Sequence, residues 1–306
     1  MEDENENKDI DLEISMFDFL KGKEEQEDSD FYKSIKNIMV NTIESIDSRF
    51  KSKTNNSDFL ETGFCGLDLH RGDLIVIAAR SSLGQTAFAL SLLNQLALNK
   101  KIPVGYISLG CTEETSFGGH LLSINSGVSM MKIRSGMLKV SDCEKINKSA
   151  EVLWESPIYL INEPNSSFNT FAWKTQLMID KNQVQLIIIN GFELFEELVD
   201  SEKEEYRNNL ESLLENLKKF AVEQHIPIIL EIELPPAESD TEPSLQDFKK
   251  YMIIPSMADM IILLNRSREK EEEAQFNIVK NLNGWTGTVD LTYNPKTMSF
   301  KKGSDE

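Results

Sequence analysis

Basic residues are scarce in this chain of 306 residues: 32 Lys and Arg stand against 51 Asp and Glu, a formal charge of −19. That excess opposes non-specific attraction to phosphate backbones and anionic lipid, so any contact with nucleic acid requires a local basic patch. Cysteine is rarer still. Cys65, Cys111 and Cys143 lie far apart, with no CxxC pair and no His at ligand spacing, which argues against a disulfide framework or a zinc site and leaves buried or idle thiols. No uninterrupted apolar run approaches about 18 residues, and acidic residues begin at Glu2, where a secretory leader would be basic. A cytoplasmic protein without membrane spans is expected. No internal repeat is visible.

Apolar residues make up 40% of the chain, ample for a core in one large domain or two small ones. Residues 1–30 hold thirteen acids and three lysines, about half of the net charge in a tenth of the length, and read as a disordered acidic tail. Inside it Leu12, Ile14, Met16, Phe17, Phe19 and Leu20 cluster, a candidate docking motif set within a solubilising tail. Phe31, Ile35, Met39, Ile43, Ile46 and Phe50 then recur at the near-fourfold spacing of one helix face, which predicts an amphipathic linker helix over 31–50. The polar stretch Lys51–Asp58 separates that helix from the rest of the chain.

From Asp73 onward short apolar runs alternate with helical patterns. The runs Leu74–Ala79, Val104–Leu109, Pro157–Ile161, Leu186–Ile189, Ile226–Ile232, Met260–Leu264 and Phe276–Val279 are predicted strands. Helices are predicted over Thr86–Leu98, Thr112–Ser126, Asp142–Glu151, Ser167–Ile179 and Tyr206–Glu223. This alternation implies an α/β domain with a mainly parallel central sheet. At its end, Asn283-Gly284 between Phe276–Val279 and Gly287–Tyr293 predicts a C-terminal β-hairpin finishing the sheet.

The strand Leu74–Ala79 runs into Arg80-Ser81-Ser82-Leu83-Gly84-Gln85-Thr86 and then an apolar helix, the context of a phosphate-binding loop. Its lysine is absent. In a working loop the backbone N–H groups cradle phosphates while Lys adds charge and Ser or Thr holds Mg²⁺. Here Gln85 supplies hydrogen bonds without charge, and Thr86 remains as a weak Mg²⁺ ligand.

Thr62-Gly63-Phe64-Cys65-Gly66-Leu67-Asp68, Gly72–Arg80 and Thr86-Ala87-Phe88-Ala89-Leu90 together resemble the opening of the DnaB-like replicative helicase motor domain, whose loop reads RPSMGKTAFAL. Leu121-Leu122-Ser123, Leu186–Ile189, Leu217-Lys218, Ile226-Pro227-Ile228-Ile229 and Asn283–Val289 match later family segments in order, so the resemblance covers 59–300. It implies a RecA-like P-loop NTPase core. The family's N-terminal helical domain is expected to have no counterpart in residues 1–30, and the helix 31–50 resembles the linker helix that docks on a neighbouring ring subunit.

The departures fall on the chemistry that the resemblance implies. Asn190 stands where the family has a Mg²⁺-orienting Asp, and an amide is a poor Mg²⁺ ligand. Gly110 replaces the Glu that activates water, a loss typically worth about 10²–10⁴ in rate. Glu113 and Glu114 lie further on. Glu233 and Pro236 replace the Gln and Arg of the switch segment. Leu282 replaces the arginine finger of the KxRNG hairpin, at a cost of roughly 10³–10⁵ in turnover, while Lys280 of that motif is kept. Residual nucleotide contact would fall to Arg80, Ser81, Ser82, Gly84, Gln85, Thr86 and Lys280, so ATP and Mg²⁺ are expected to bind weakly or not at all.

In the loop Pro235–Asp247 the family lines a DNA channel with bases; this chain has Glu238, Asp240, Glu242 and Asp247 and no base. Lys249 and Lys250 come next, and Arg134, Arg266 and Arg268 are scattered, so DNA binding is not expected. The reading is a degenerate, non-enzymatic pseudo-ATPase of DNA replication or related transactions. Its expected partner is an authentic DnaB-like helicase, another replisome protein, or further copies of itself in a homo-oligomer. The alternatives are a functioning ATP-dependent replicative helicase with displaced catalytic groups, and a scaffold unrelated to replication that is recruited through its acidic tail.

Overall fold

The structure, a computed structural model, describes residues 34–35, 38–40, 42–43, 58–64, 66–110, 113–199, 203–236, 241–267 and 270–303. The chain divides into two units, 1–58 and 59–306. In the first, Ile35, Ile38–Val40, Thr42 and Ile43 are helical, and the Ile38 N–H donates to the Ser34 carbonyl at 3.0 Å. The expected acidic tail and the rest of the expected 31–50 helix lie outside the described residues.

The second unit opens with two short antiparallel strands, β1 (Phe59–Glu61) and β2 (Asp68–His70). Then come β3 (Leu74–Arg80), α1 (Gln85–Asn94), β4 (Val104–Ser108), α2 (Glu114–Ser126), α3 (Met130–Ser135) and α4 (Val140–Trp154). β5 (Ile158–Asn162), α5 (Phe168–Asn182), β6 (Leu186–Asn190), α6 (Lys203–Gln224) and β7 (Ile228–Leu234) complete the alternating part. The chain ends on α7 (Ile254–Met257), β8 (Met260–Arg266), β9 (Glu273–Asn281), β10 (Gly287–Asn294) and β11 (Ser299–Lys302).

Nine of these strands form one sheet in the order β11-β10-β9-β8-β3-β7-β6-β4-β5. β8 through β5 run parallel, while β9, β10 and β11 are added antiparallel at one edge. β3 lies at the centre and every residue in it is buried, which is why Leu74–Ala79 is an unbroken apolar run rather than an alternating one, closed by the buried Arg80. Ile75, Ile77 and Ala79 face the layer of Phe88 and Leu92 from α1; Leu74, Val76 and Ala78 face Leu210, Leu214 and Leu217 from α6. Those α6 leucines fall at helical spacing, the stripe that a surface helix buries.

Several boundaries differ from the sequence expectation. The helix expected over Thr86–Leu98 changes to π-helical turns at Gln95–Asn99, and the one expected from Thr112 begins at Glu114. Strands β1, β2 and β11 and helix α3 were not expected, because segments of three to six residues are too short to show a period. The β9–β10 hairpin forms but does not finish the sheet, since β11 pairs outside it. Cys143 is a free, exposed thiol; Cys65 and Cys111 lie outside the described residues. No helix among the described residues is long and apolar enough to cross a membrane.

Candidate functional site

β3 ends at Arg80, and the chain turns through Ser81, Ser82, Leu83 and Gly84 into α1. The Leu83 N–H donates to the Arg80 carbonyl at 3.1 Å and the Phe88 N–H to Gly84 at 2.8 Å, closing the turn onto the helix. Ser82 has φ +65° and Gly84 φ +103°. At Gly84 the backbone angle favours glycine, and a Cβ would stand 3.1 Å from the Phe300 ring, close enough that the ring would have to shift. The result is a tight turn into a helix N-terminus, the backbone arrangement that an anion site of this kind requires. The charge is missing: with its amide in the orientation that satisfies hydrogen bonding, the Gln85 nitrogen donates to the carbonyls of Ala79 and Ile232, 3.2 Å each. That side chain is tied to the ends of β3 and β7.

Beneath the loop lies a four-residue polar cluster. The Thr86 hydroxyl donates to Glu231 Oε2 at 2.7 Å, the Asn190 amide donates to the same oxygen at 3.0 Å, and the Tyr106 hydroxyl donates to Oε1 at 3.0 Å. Asn190 Nδ2 also reaches Thr86 Oγ1 at 3.3 Å. The sheet register assembles the group: Ile189 pairs with Leu230, which sets Asn190 beside Glu231, and Ile77 pairs with Glu231. Glu231 is only 1% exposed. Burial pushes its carboxyl above the ordinary range, against the pull of Thr86, Asn190 and Tyr106, and the charge of Glu193 adds to the rise. Burial and then the Glu231 charge hold the Tyr106 phenol well above its usual value.

The other candidate residues scatter. The Arg80 guanidinium turns away from the phosphate loop and donates to the Thr241 carbonyl, with Asp247 Oδ2 at 3.4 Å. Lys280 donates to the carbonyls of Pro255 and Ser256 at 2.9 and 3.3 Å, and it pairs with Ile261 near the opposite end of β8 from the loop. The hairpin turn is fixed at the start of β3, where Asn283 donates to both Asp73 carboxylate oxygens at 3.1 Å. The seven residues of β3 separate that point from the loop, about 20 Å at the rise of a strand. Leu282 is 65% exposed on the hairpin. Neither Lys280 nor Leu282 therefore reaches the phosphate loop of its own chain.

Gly110 is exposed just past β4, and a Cβ there would meet only Leu194, at 3.5 Å, so the position has room for a side chain. Glu233 is exposed near the end of β7, paired with Ala79, and Glu113 and Glu114 are exposed at the start of α2. Ser81 and Ser82 are exposed on the loop. One basic group does touch the loop. Arg266 Nη2 donates to the Ser82 carbonyl at 3.1 Å while its guanidinium covers the Tyr293 ring at 4.3 Å.

Glu231 and Tyr106 escaped the sequence reading. Glu231 did leave a signal: an acid inside the apolar run Ile226–Ile232, the pattern of a strand whose neighbours cover both of its faces. Tyr106 left none, since a tyrosine in a strand is ordinary.

Known proteins match this geometry. The family model described as DnaB-like helicase C terminal domain matches residues 59–302. The replicative DNA helicase DnaB of Treponema pallidum (strain Nichols) is 27% identical over 276 residues, covering 88% of this chain and 61% of that protein. The DnaB of Geobacillus stearothermophilus is 26% identical over 276 residues, covering 86% and 60%. The chain thus spans about three-fifths of the length of these relatives. Among solved structures, one described as an ATPase domain superposes with a TM-score of 0.77 at 22% identity, over 89% of this chain and 100% of that one. A DnaB-like replicative helicase, solved in a study of its interactions with primase, gives 0.73 at 21% identity, over 96% and 76%. The fold is RecA-like, an α/β core on a mainly parallel sheet.

Proposed function

The chain belongs to the family of DnaB-like helicase C-terminal domains, and on that footing we propose that it is a catalytically degenerate member acting as a non-enzymatic binding or regulatory subunit in DNA replication or a related DNA transaction. The observation that carries the reading is Gln85: the position that should bring a cation to the phosphates carries a neutral amide tied to strand carbonyls. Gly110 offers no base, Asn190 no carboxylate and Leu282 no guanidinium. Groups that act as a unit fail as a unit. The backbone of Ser82, Gly84 and Gln85 would hold a nucleotide's phosphates, and Thr86 a Mg²⁺ ion; without the lysine such binding is weak.

The organisation we propose is an acidic tail over 1–30, a linker helix over 31–50 and the motor-type domain over 59–300. The protein would work in the cytoplasm and dock on a DnaB-like replicative helicase, another replisome protein or copies of itself. DNA is not the favoured ligand, because the Arg80 guanidinium is held by Asp247 on a loop whose described part also carries Glu242. ATP turnover with and without single-stranded DNA, together with cross-linking to the intact helicase of the same cell, tests this: blank-level turnover and a specific cross-link are expected. Turnover well above blank that Thr86→Ala abolishes overturns it. That result would favour a second reading, an ATP-dependent helicase with displaced catalytic groups, for which the carboxylate of Glu231 beside Thr86 speaks.

A further inference from the structure

Glu231 poses a charge problem that a degenerate phosphate loop does not explain. Its carboxylate is buried, and among the described residues no Lys or Arg forms an ion pair with it. The two arginines beside the loop are engaged elsewhere, Arg80 with Thr241 and Asp247 and Arg266 with Ser82 and Tyr293. Among the described residues three neutral donors, Thr86, Asn190 and Tyr106, offset the charge, and a buried carboxylate without an ion pair is costly. Glu193 adds a second negative charge to the same surroundings.

The donor atoms have the chemistry and the spacing of a hard-cation site. Thr86 Oγ1, Glu231 Oε2 and the Asn190 amide form a triangle with edges of 2.7, 3.0 and 3.3 Å. Neighbouring ligands of an octahedral ion with bonds of about 2.1 Å lie about 3.0 Å apart, so the triangle has the size of one octahedral face. The spacing also suits the hydrogen bonds that now hold the group, so an ion and those bonds compete for the same oxygens. Entry needs only small changes: the Thr86 proton turns away, the Asn190 amide rotates to present its oxygen, and any proton on Glu231 leaves. Thr86 and Asn190 are half-buried and give the open side, while Glu231 forms the floor. Among the described residues no cluster of three or more His, Cys, Asp or Glu side chains could hold a metal, so this set of one acid, one hydroxyl and one amide is of a different kind.

We propose that Thr86, Asn190 and Glu231 form a divalent-cation site, for an ion of the Mg²⁺ or Mn²⁺ class, whose carboxylate comes from β7 rather than from the neighbouring strand β6. The site stands independently of whether the chain hydrolyses ATP, which turnover tests separately. Mn²⁺ titrated into the full chain and followed by the electron paramagnetic resonance of the free ion provides the measurement. Weak binding to the many surface acids is common to all variants, so the difference between them reports the site.

Wild type is expected to hold one Mn²⁺ more than Glu231→Gln at millimolar metal, and Thr86→Val to weaken that ion by at least about tenfold. Asn190→Asp added to Glu231→Gln returns a carboxylate one strand away and should recover the ion. Mn²⁺ should also raise the melting temperature of wild type and of the double variant but not of Glu231→Gln, a readout that confirms each variant is folded. Equal stoichiometry and equal thermal shift in wild type and Glu231→Gln overturn the proposal. So does a wild type that takes up no site-specific ion.

Discussion

Asn190 donates its side-chain amide to the Glu231 carboxylate at 3.0 Å across the β6–β7 pair, so that two neighbouring parallel strands present one carboxylate and one amide rather than two acids. Asn190→Asp would set two carboxylates face to face. Two charges at that distance repel, so at least one of the two carboxyls must have its pKa raised. Unfolding in urea should show a loss of about 1–3 kcal/mol at pH 7, the free energy of raising one carboxyl pKa by about one to two. The loss should shrink on acidification and be relieved by adding Glu231→Gln. No loss would mean that the two side chains do not face each other in solution.

Glu231 itself should set a pH dependence. Burial raises its carboxyl above the ordinary value of 4.5. A group raised in the folded state favours folding below its unfolded value and withdraws that contribution as pH climbs through the folded one. The stability of Glu231→Gln, measured against wild type, should therefore move in the variant's favour from pH 4.5 upward. The gain is about 1.4 kcal/mol for each pH unit that separates the folded from the unfolded value. A difference that stays flat with pH refutes the raised carboxyl.

Returning the loop lysine should restore binding before chemistry. The cradle of Gly84 and the Thr86 hydroxyl are in place, and a charge-assisted contact of about 1.5–3 kcal/mol corresponds to roughly 10–100-fold in affinity. Gln85→Lys is thus expected to tighten a fluorescent ATP analogue by that factor while turnover stays at blank, because Gly110, Asn190 and Leu282 are unchanged. Unchanged affinity would show that the cradle does not hold phosphate; a large gain in hydrolysis would show that the missing catalytic groups are supplied elsewhere.

Away from the site, Asp259 anchors the start of β3. Its Oδ2 accepts from the Leu74 N–H at 2.7 Å and from Lys218 at 2.6 Å, tying the strand before the loop to α6. Asp259→Ala leaves a buried N–H without its acceptor and Lys218 without its nearest anion. Chemical denaturation should register a loss of about 2–4 kcal/mol. A loss under about 1 kcal/mol would mean that water takes over both contacts.

The sequence by itself determined the alternation of strand and helix, the loop after β3 and the loss of charge at Gln85, because burial on both sheet faces forces apolar runs and because a missing lysine is visible as a letter. It also held the family resemblance along 59–300 in order. The tertiary structure alone decided which polar groups meet. Thr86, Tyr106, Asn190 and Glu231 are distant in sequence, and only the strand order β3-β7-β6-β4 with its register brings them within hydrogen-bond reach. It decided equally that Arg80 turns to Asp247 and that Lys280 lies away from its own chain's loop. The direction of a long side chain follows from its neighbours in space, and local sequence does not contain them.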